Sequence, residues 1–321
     1  MKIQNQDFEA ISKMLDARKE DTLSKRIRYL DEIDQIKEKE LETVFMLSPS
    51  DLGVCRNGGR RGAQYGPDAI MTIINKMIDH EKDKHPLGVI KVGQPGQELE
   101  DFDKAQEDSS KKISNILKNK SIKNLFHIGG GHDHIYSLLK GLETAGHKKI
   151  TVINIDAHCD TRTDEIHHSG TPFKQFADET KTDFEIIQIG THVFSNTLET
   201  LEALTPHTMK ILNYSQLLHE TDEFRQPLWP KLERELPFQE GRTYVLSLDA
   251  DVFDNRVMEG VSAVNYRGLA FKEIQEIFKY FTKVLASTPK ICGIYEYNPV
   301  YDNLSQKGAR VLSYLIYLML H

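Results

Sequence analysis

Cysteine is scarce in this chain: 321 residues contain three, Cys55, Cys159 and Cys292. Their spacing fits neither a disulfide framework nor a Cys-x-x-Cys metal site, which points to a reducing compartment. No long basic tract occurs and the formal net charge is −7, so nucleic acid is not an expected partner. The longest strongly apolar stretch, Val311 to Leu320, falls short of the roughly 20 residues that a membrane span needs. The first residues, Met1 to Asp7, are polar and hold no apolar signal-peptide run. Repeats and low-complexity segments are also missing. A cytoplasmic protein with neither a nucleic-acid nor a membrane partner is therefore expected.

What is present is enough for one large core. The hydrophobic fraction is 39%, and a single α/β domain often reaches this length. Residues 1–43 are rich in Lys, Glu and Asp, with Ile11, Leu15, Leu30 and Ile33 at loosely helical spacing, so they are expected as a charged helical N-terminal extension. Beyond them, short apolar runs alternate with amphipathic helical patterns. The runs are 43–46, 124–128, 150–155, 185–189, 209–212, 243–248 and 291–295; helical patterns cover 103–117, 135–144 and 271–285. Short, largely apolar and often β-branched runs suit strands buried on both faces, and strand–helix alternation predicts a mainly parallel sheet with helices on both sides. At the C-terminus, Leu312, Leu315, Ile316 and Met319 share one helical face, a core or subunit-interface pattern.

The chemically capable residues fall where strands end, which is where open α/β sheets bind ligands. Run 124–128 leads into Gly129-Gly130-Gly131-His132-Asp133-His134. Run 150–155 leads into Asp156-Ala157-His158-Cys159-Asp160. Run 243–248 leads into Asp249-Ala250-Asp251, and run 291–295 into Glu296-Tyr297-Asn298-Pro299. In extended chain, Asp156, His158 and Asp160 project to one side with Cys159 opposite, and Asp249 and Asp251 project together. Each motif alone has an ordinary reading: a polar strand end, a turn, a helix cap or a flexible glycine loop. The glycine run is not a phosphate loop, because no Gly-Lys-Ser/Thr follows it.

Together they pose an electrostatic problem. Four ionised carboxylates in one cleft repel one another and suffer desolvation. Either several are protonated or cations neutralise them. Two divalent ions match the four charges, and the imidazoles of His132 and His158 complete a six-residue set. Oxygen-rich ligation with some nitrogen favours Mn²⁺, with Fe²⁺, Co²⁺ or Ni²⁺ also compatible.

These motifs, in this order from about Gly53 to Pro299, resemble the ureohydrolase family of arginases, agmatinases and formiminoglutamases. The resemblance implies an arginase-like three-layer α/β/α sandwich with a mostly parallel, roughly eight-stranded sheet, forming a single catalytic domain over 1–321. It implies two Mn²⁺ per subunit: His132 and Asp160 on the first ion, His158 and Asp251 on the second, Asp156 and Asp249 bridging both. It makes Glu296 the partner of a cationic guanidinium or amidinium, and Asp160 a proton carrier. A homo-oligomer, trimer or hexamer, is implied as well.

Within the family, the stretch from Arg56 to Ile70, the Gly-Gly-Gly-His start, Ser169-Gly170-Thr171-Pro172-Phe173 and Gly260-Val261-Ser262-Ala263 look most like the formiminoglutamase branch. That branch hydrolyses N-formimino-L-glutamate to L-glutamate and formamide. Ser169 stands where arginases place a catalytic histidine, with His168 one residue earlier as a candidate proton relay. The substrate's two carboxylates point to Arg56, Arg60 or Arg61 as a bidentate partner, with Asn57, Ser169 and, more weakly, Tyr297 as further contacts. His134 and Asp133 are read as supports and Asp254 as a turn cap. The competing readings are hydrolysis of agmatine, arginine or a guanidino acid, and a metal-binding relative without catalysis. A one-zinc deacetylase is disfavoured, because the set supplies too many ligands for one ion.

Overall fold

Apolar runs without polar alternation must be covered on both sides, and the computed structural model covers them so. It describes residues 21–38, 40–80, 85–93, 102–204, 208–212, 228–286 and 289–321. In strand β2, Thr43–Ser48, Val44 and Met46 enter one core cluster while Phe45 and Leu47 enter the other. Strand alternation thus feeds two cores from one run. Helices Phe102–Leu117, His134–Ala145 and Pro172–Glu179 cover one face; Gly66–Ile74, Leu228–Glu235, Phe271–Tyr280 and Lys307–Leu320 cover the other. The result is the expected three-layer α/β/α arrangement.

The sheet has nine strands among the described residues. Around β2 they are β1 Ile27–Leu30, β3 Leu87–Lys91, β4 Asn124–Gly129, β5 Lys149–Ile155, β6 Asp183–Ile189, β7 Met209–Leu212, β8 Thr243–Asp249 and β9 Lys290–Tyr295. Their order is β1-β3-β2-β4-β9-β8-β5-β6-β7, and every pairing is parallel.

Two strands, β1 and β3, were not expected from the sequence. Residues 1–20 of the expected helical extension lie outside the described residues. Within 21–43, however, β1 adds an edge strand that pairs with β3. Its pattern exposes Arg28 and Tyr29 between buried Ile27 and Leu30, which hides it in a charged stretch. The segment is sheet edge as well as helix, since only Gln35–Glu38 and the 3₁₀ turn Leu23–Lys25 are helical there. The pattern expected as one helix over 271–285 is an α-helix to Tyr280 with a π-helical turn over Phe281–Leu285.

Register places the chemistry. Ile128 pairs with Ile294, Ile294 with Leu248, and Leu248 with Ile155, so one level row crosses the adjacent strands β4, β9, β8 and β5. Asp156 and Asp249 each stand one residue beyond that row. Neighbouring strands lie roughly 4.8 Å apart, so these carboxylates are side by side by construction. The C-terminal helix lends support from below: Leu312, Leu315 and Ile316 are fully buried, and Ser313 Oγ donates to the carbonyl of Ile70 at 3.1 Å.

Candidate metal centre

The six side chains read from the sequence come together as two clusters. Single ligand atoms from His132, Asp156, Asp160 and Asp249 lie within 4.8 Å of one another, and so do those of Asp156, His158 and Asp251. Asp156 belongs to both. His132 Nδ1 is 2.8 Å from Asp160, 3.1 Å from Asp156 and 3.2 Å from Asp249. In the second cluster His158 Nδ1 lies 3.0 Å from Asp251 and 3.7 Å from Asp156.

Local turns, rather than strand alternation, produce this convergence. Asp156 Oδ1 accepts the backbone N–H of His158 at 2.7 Å, and Asp249 Oδ1 accepts that of Asp251 at 2.8 Å. Both chains therefore fold tightly as they leave the sheet. Asp160 reaches inward through a left-handed backbone, φ +51°, and Glu296 does the same at φ +64°. Non-glycine residues held there carry strain that surrounding structure must hold, and such strain gathers at functional sites.

The ring of His132 is fixed on every side. Its Nε2 meets Ser247 Oγ at 2.9 Å, Tyr295 stacks on it at 5.1 Å, and Phe173 presents an edge at 5.4 Å. Tyr295 in turn hydrogen-bonds His127, whose other nitrogen meets Ser48 Oγ. Ser247 thereby leaves Nδ1 as the nitrogen directed at the carboxylates, the arrangement that metal-binding histidines use. Sequence reasoning missed Ser247, Tyr295 and Phe173. The available signal was that Ser247 lies two residues before Asp249 on β8 and so shares its face.

The donor set fits cations. His132 Nδ1 and Asp251 Oδ1 are buried without a hydrogen-bond partner although charged groups surround them. Burial opposes charge on His132, yet the three aspartates hold its pKa well above the ordinary imidazole range. Asp251 does the same for His158. Burial, with Asp251 and Asp156 adding, pushes Asp249 well above the usual carboxylate range; burial and Asp156 raise Asp160. Protons are thus retained wherever positive charge is demanded. Divalent ions satisfy the same demand with coordination that protons cannot give.

Glu296 stands beside the clusters, its Oε1 accepting the N–H of His132 at 3.0 Å. Burial raises its pKa to about 8, with Asp251 and Asp160 contributing. A cationic amidine group would supply the missing counter-charge. Cys159 is buried and outside both clusters, as expected.

The remaining predicted residues hold loops. Arg56 stacks on Phe102 with its guanidinium carbon 4.2 Å from the ring centre and donates to the His167 carbonyl. Arg60 lies 4.0 Å over Tyr301 and donates to the Val261 carbonyl, while Arg61 Nε reaches Cys55 Sγ. Asn57 Nδ2 donates to Ser169 Oγ at 3.1 Å, joining the 52–62 loop to the loop after β5. Tyr297 donates to Asp302, and Asp254 pairs with Arg256. His134 Nε2 meets the Ser50 carbonyl, and Asp133 is buried beside it. His168, the candidate proton relay, is held from both sides of its ring. Its Nδ1 accepts from Gly170 N–H at 3.0 Å and its Nε2 meets Asp164 at 2.7 Å, so both nitrogens are committed to holding the loop.

A parallel three-layer sheet with two His/Asp clusters sharing a carboxylate at its strand ends defines a candidate two-cation centre. The model of the Arginase family matches residues 42–321, and the chain belongs to that family. It is 29% identical over 317 residues to a formimidoylglutamase of Legionella pneumophila, covering 94% of this chain and 92% of that protein. The formimidoylglutamase of Bacillus subtilis shares the fold with a TM-score of 0.76 at 20% identity, over 93% of this chain and 91% of that one. A formiminoglutamase variant of Trypanosoma cruzi with Mn²⁺ does so at 0.74 and 24% identity, over 88% of this chain and 93% of that one.

Proposed function

We propose that this chain hydrolyses the C–N bond of N-formimino-L-glutamate, releasing L-glutamate and formamide, with two divalent cations held by His132, Asp156, Asp160 and Asp249 on one side and Asp156, His158, Asp249 and Asp251 on the other. The observation that carries the reading is the pair of ligand clusters sharing Asp156 beside the buried carboxylate of Glu296. Mn²⁺ is the preferred metal, because the set is rich in oxygen and the T. cruzi relative carries it. When bound, such a pair would lower the pKa of a water strongly, towards neutrality, and stabilise charge that develops on the substrate.

The protein's own groups supply the rest. Glu296 orients the substrate's amidinium so that the formimino carbon faces the attacking oxygen. As the oxygen–carbon bond forms, Asp160 accepts the water's proton. The proton then passes to the nitrogen of glutamate as the C–N bond breaks. His168, Asn57 and Ser169 keep the rim loop in place during this exchange. A trimeric or hexameric assembly in the cytoplasm belongs to the same reading, on the family resemblance, and analytical ultracentrifugation measures the assembly.

The test is a substrate panel. Protein reconstituted with Mn²⁺ is offered formiminoglutamate, agmatine, arginine and guanidino acids, and formamide and urea are assayed. Formamide from formiminoglutamate is expected. Urea from a guanidine, with formiminoglutamate untouched, overturns the reading.

A further inference from the structure

Three of the six candidate ligands, Asp156, His158 and Asp160, sit within five consecutive residues after β5. The ring of His132 is held by Ser247, Tyr295 and Phe173. Among the described residues the ring of His158 has no hydrogen bond or ring contact outside its own cluster, so its aim comes from its backbone. Asp160 is left-handed, at φ +51°, and such a backbone persists only where neighbours enforce it.

The enforcing neighbours are two side-chain amides. Asn196, on the loop after β6, accepts the Cys159 N–H at Oδ1 at 2.9 Å and donates from Nδ2 to the Ala157 carbonyl at 3.0 Å. Its amide thus grips the backbone on both sides of His158, as a residue of a parallel neighbouring strand would. The same Nδ2 donates to the His192 carbonyl at 2.8 Å, which ties the amide to its own loop. Gln188, fully buried on β6, donates to the Cys159 carbonyl at 2.7 Å. A peptide unit is planar, so this bond orients the link into Asp160. Gln188 Oε1 accepts from Asn154 at 2.8 Å, and Asn154 also donates to Asp156 Oδ2 at 3.2 Å.

We propose that Asn196 and Gln188 are positioning residues that clamp Cys159 and so aim its two neighbours, an inference that rests on the two-cation reading. Asn196 sets the affinity for the ion beside His158 and Asp251. Gln188 sets it chiefly for the ion beside His132 and Asp160.

The experiment compares wild type, N196A and Q188M, each stripped of metal and checked for melting temperature. Mn²⁺ affinity is measured by calorimetry, and anomalous diffraction at limiting Mn²⁺ shows which position fills. Hydrogen exchange of the 157–160 amides is followed without metal. In N196A, affinity at the His158 position should fall roughly 10- to 100-fold, the usual loss when a group supporting a ligand is removed, with the His132 position changed by less than about 3-fold. In Q188M the larger loss should fall on the His132 position. The Ala157 carbonyl keeps the His192 N–H at 3.0 Å when Asn196 is cut back, so N196A decides the matter if Q188M does not fold. Equal loss at both positions in N196A overturns the proposal, and so does a lower melting temperature with both affinities unchanged. Wild type that binds fewer than two ions refutes the two-cation reading instead. Exchange then decides on the clamp: the 157–160 amides should exchange roughly 10-fold faster in N196A, and equal rates overturn it.

Discussion

Replacing Gly130 by alanine would strike the turn that delivers His132, and the structure sets the size of the blow. A Cβ at Gly130 would lie 2.1 Å from the carbonyl oxygen of Ser50 and 2.7 Å from its carbon. To restore ordinary contact at 3.4 Å, backbone must retreat by about 1.3 Å. Three hydrogen bonds oppose the retreat: Gly130 N–H to Ser48 at 3.1 Å, Gly131 N–H to Ser50 at 3.2 Å, and Glu296 N–H to Gly130 at 2.8 Å. Overpacking together with a weakened bond or two costs about 2–4 kcal/mol. Melting of the metal-stripped protein should fall by about 3–6 °C. The shift also reaches His132 and Glu296, and a misplacement of about 1 Å costs on the order of 100-fold in turnover. Gly146→Ala is the control. Gly146 has φ +102° with nothing within 4 Å of a new Cβ, so it should lose about 1–2 kcal/mol of stability and no turnover. Calorimetry and formamide release measure both effects. A G130A protein that melts and turns over like wild type would refute the reasoning.

Three further outcomes follow from the clusters. Asp156→Asn removes the shared carboxylate and should cost both ions, whereas Asp251→Asn should leave one ion per chain in the His132 cluster; elemental analysis after dialysis decides, and two retained ions in D156N would break the sharing argument. Metal binding should release protons, because His132, His158 and Asp249 hold them with raised pKa values when no ion is bound and ligands must be deprotonated. Affinity therefore rises with pH and ions leave below about pH 5–6; a calorimetric binding heat independent of the buffer's ionisation enthalpy would contradict this. Glu296→Gln should retain both ions while kcat/KM falls about 10²- to 10³-fold, the usual loss when one group that stabilises developing charge is removed.

The central strands β4, β5, β8 and β9 were legible because burial on both faces writes them as plain apolar runs, and their motifs marked which ends carry chemistry. β1 and β3 were not. An edge strand shows only half its residues to the core, so Arg28 and Tyr29 disguised β1, while Gly88 and the terminal Lys91 shortened β3's apolar signal. The six candidate ligands were found by an argument that was partly off target. Alternation in extended chain predicts the shared side of Asp156, His158 and Asp160, whereas the Asx-type turn at Asp156 and the left-handed Asp160 produce it. Strand order is a long-range fact that spacing does not encode, so the adjacency of β4, β9, β8 and β5 had to come from the structure. The same holds for Ser247 on His132, a contact between residues more than one hundred positions apart.

The central claim is that two cations sit side by side on these strand ends. Anomalous diffraction at the manganese edge, from a crystal grown with Mn²⁺, tests it directly. The account predicts two peaks, one enclosed by His132, Asp156, Asp160 and Asp249 and the other by Asp156, His158, Asp249 and Asp251. A single peak, or peaks remote from Asp156, would contradict it.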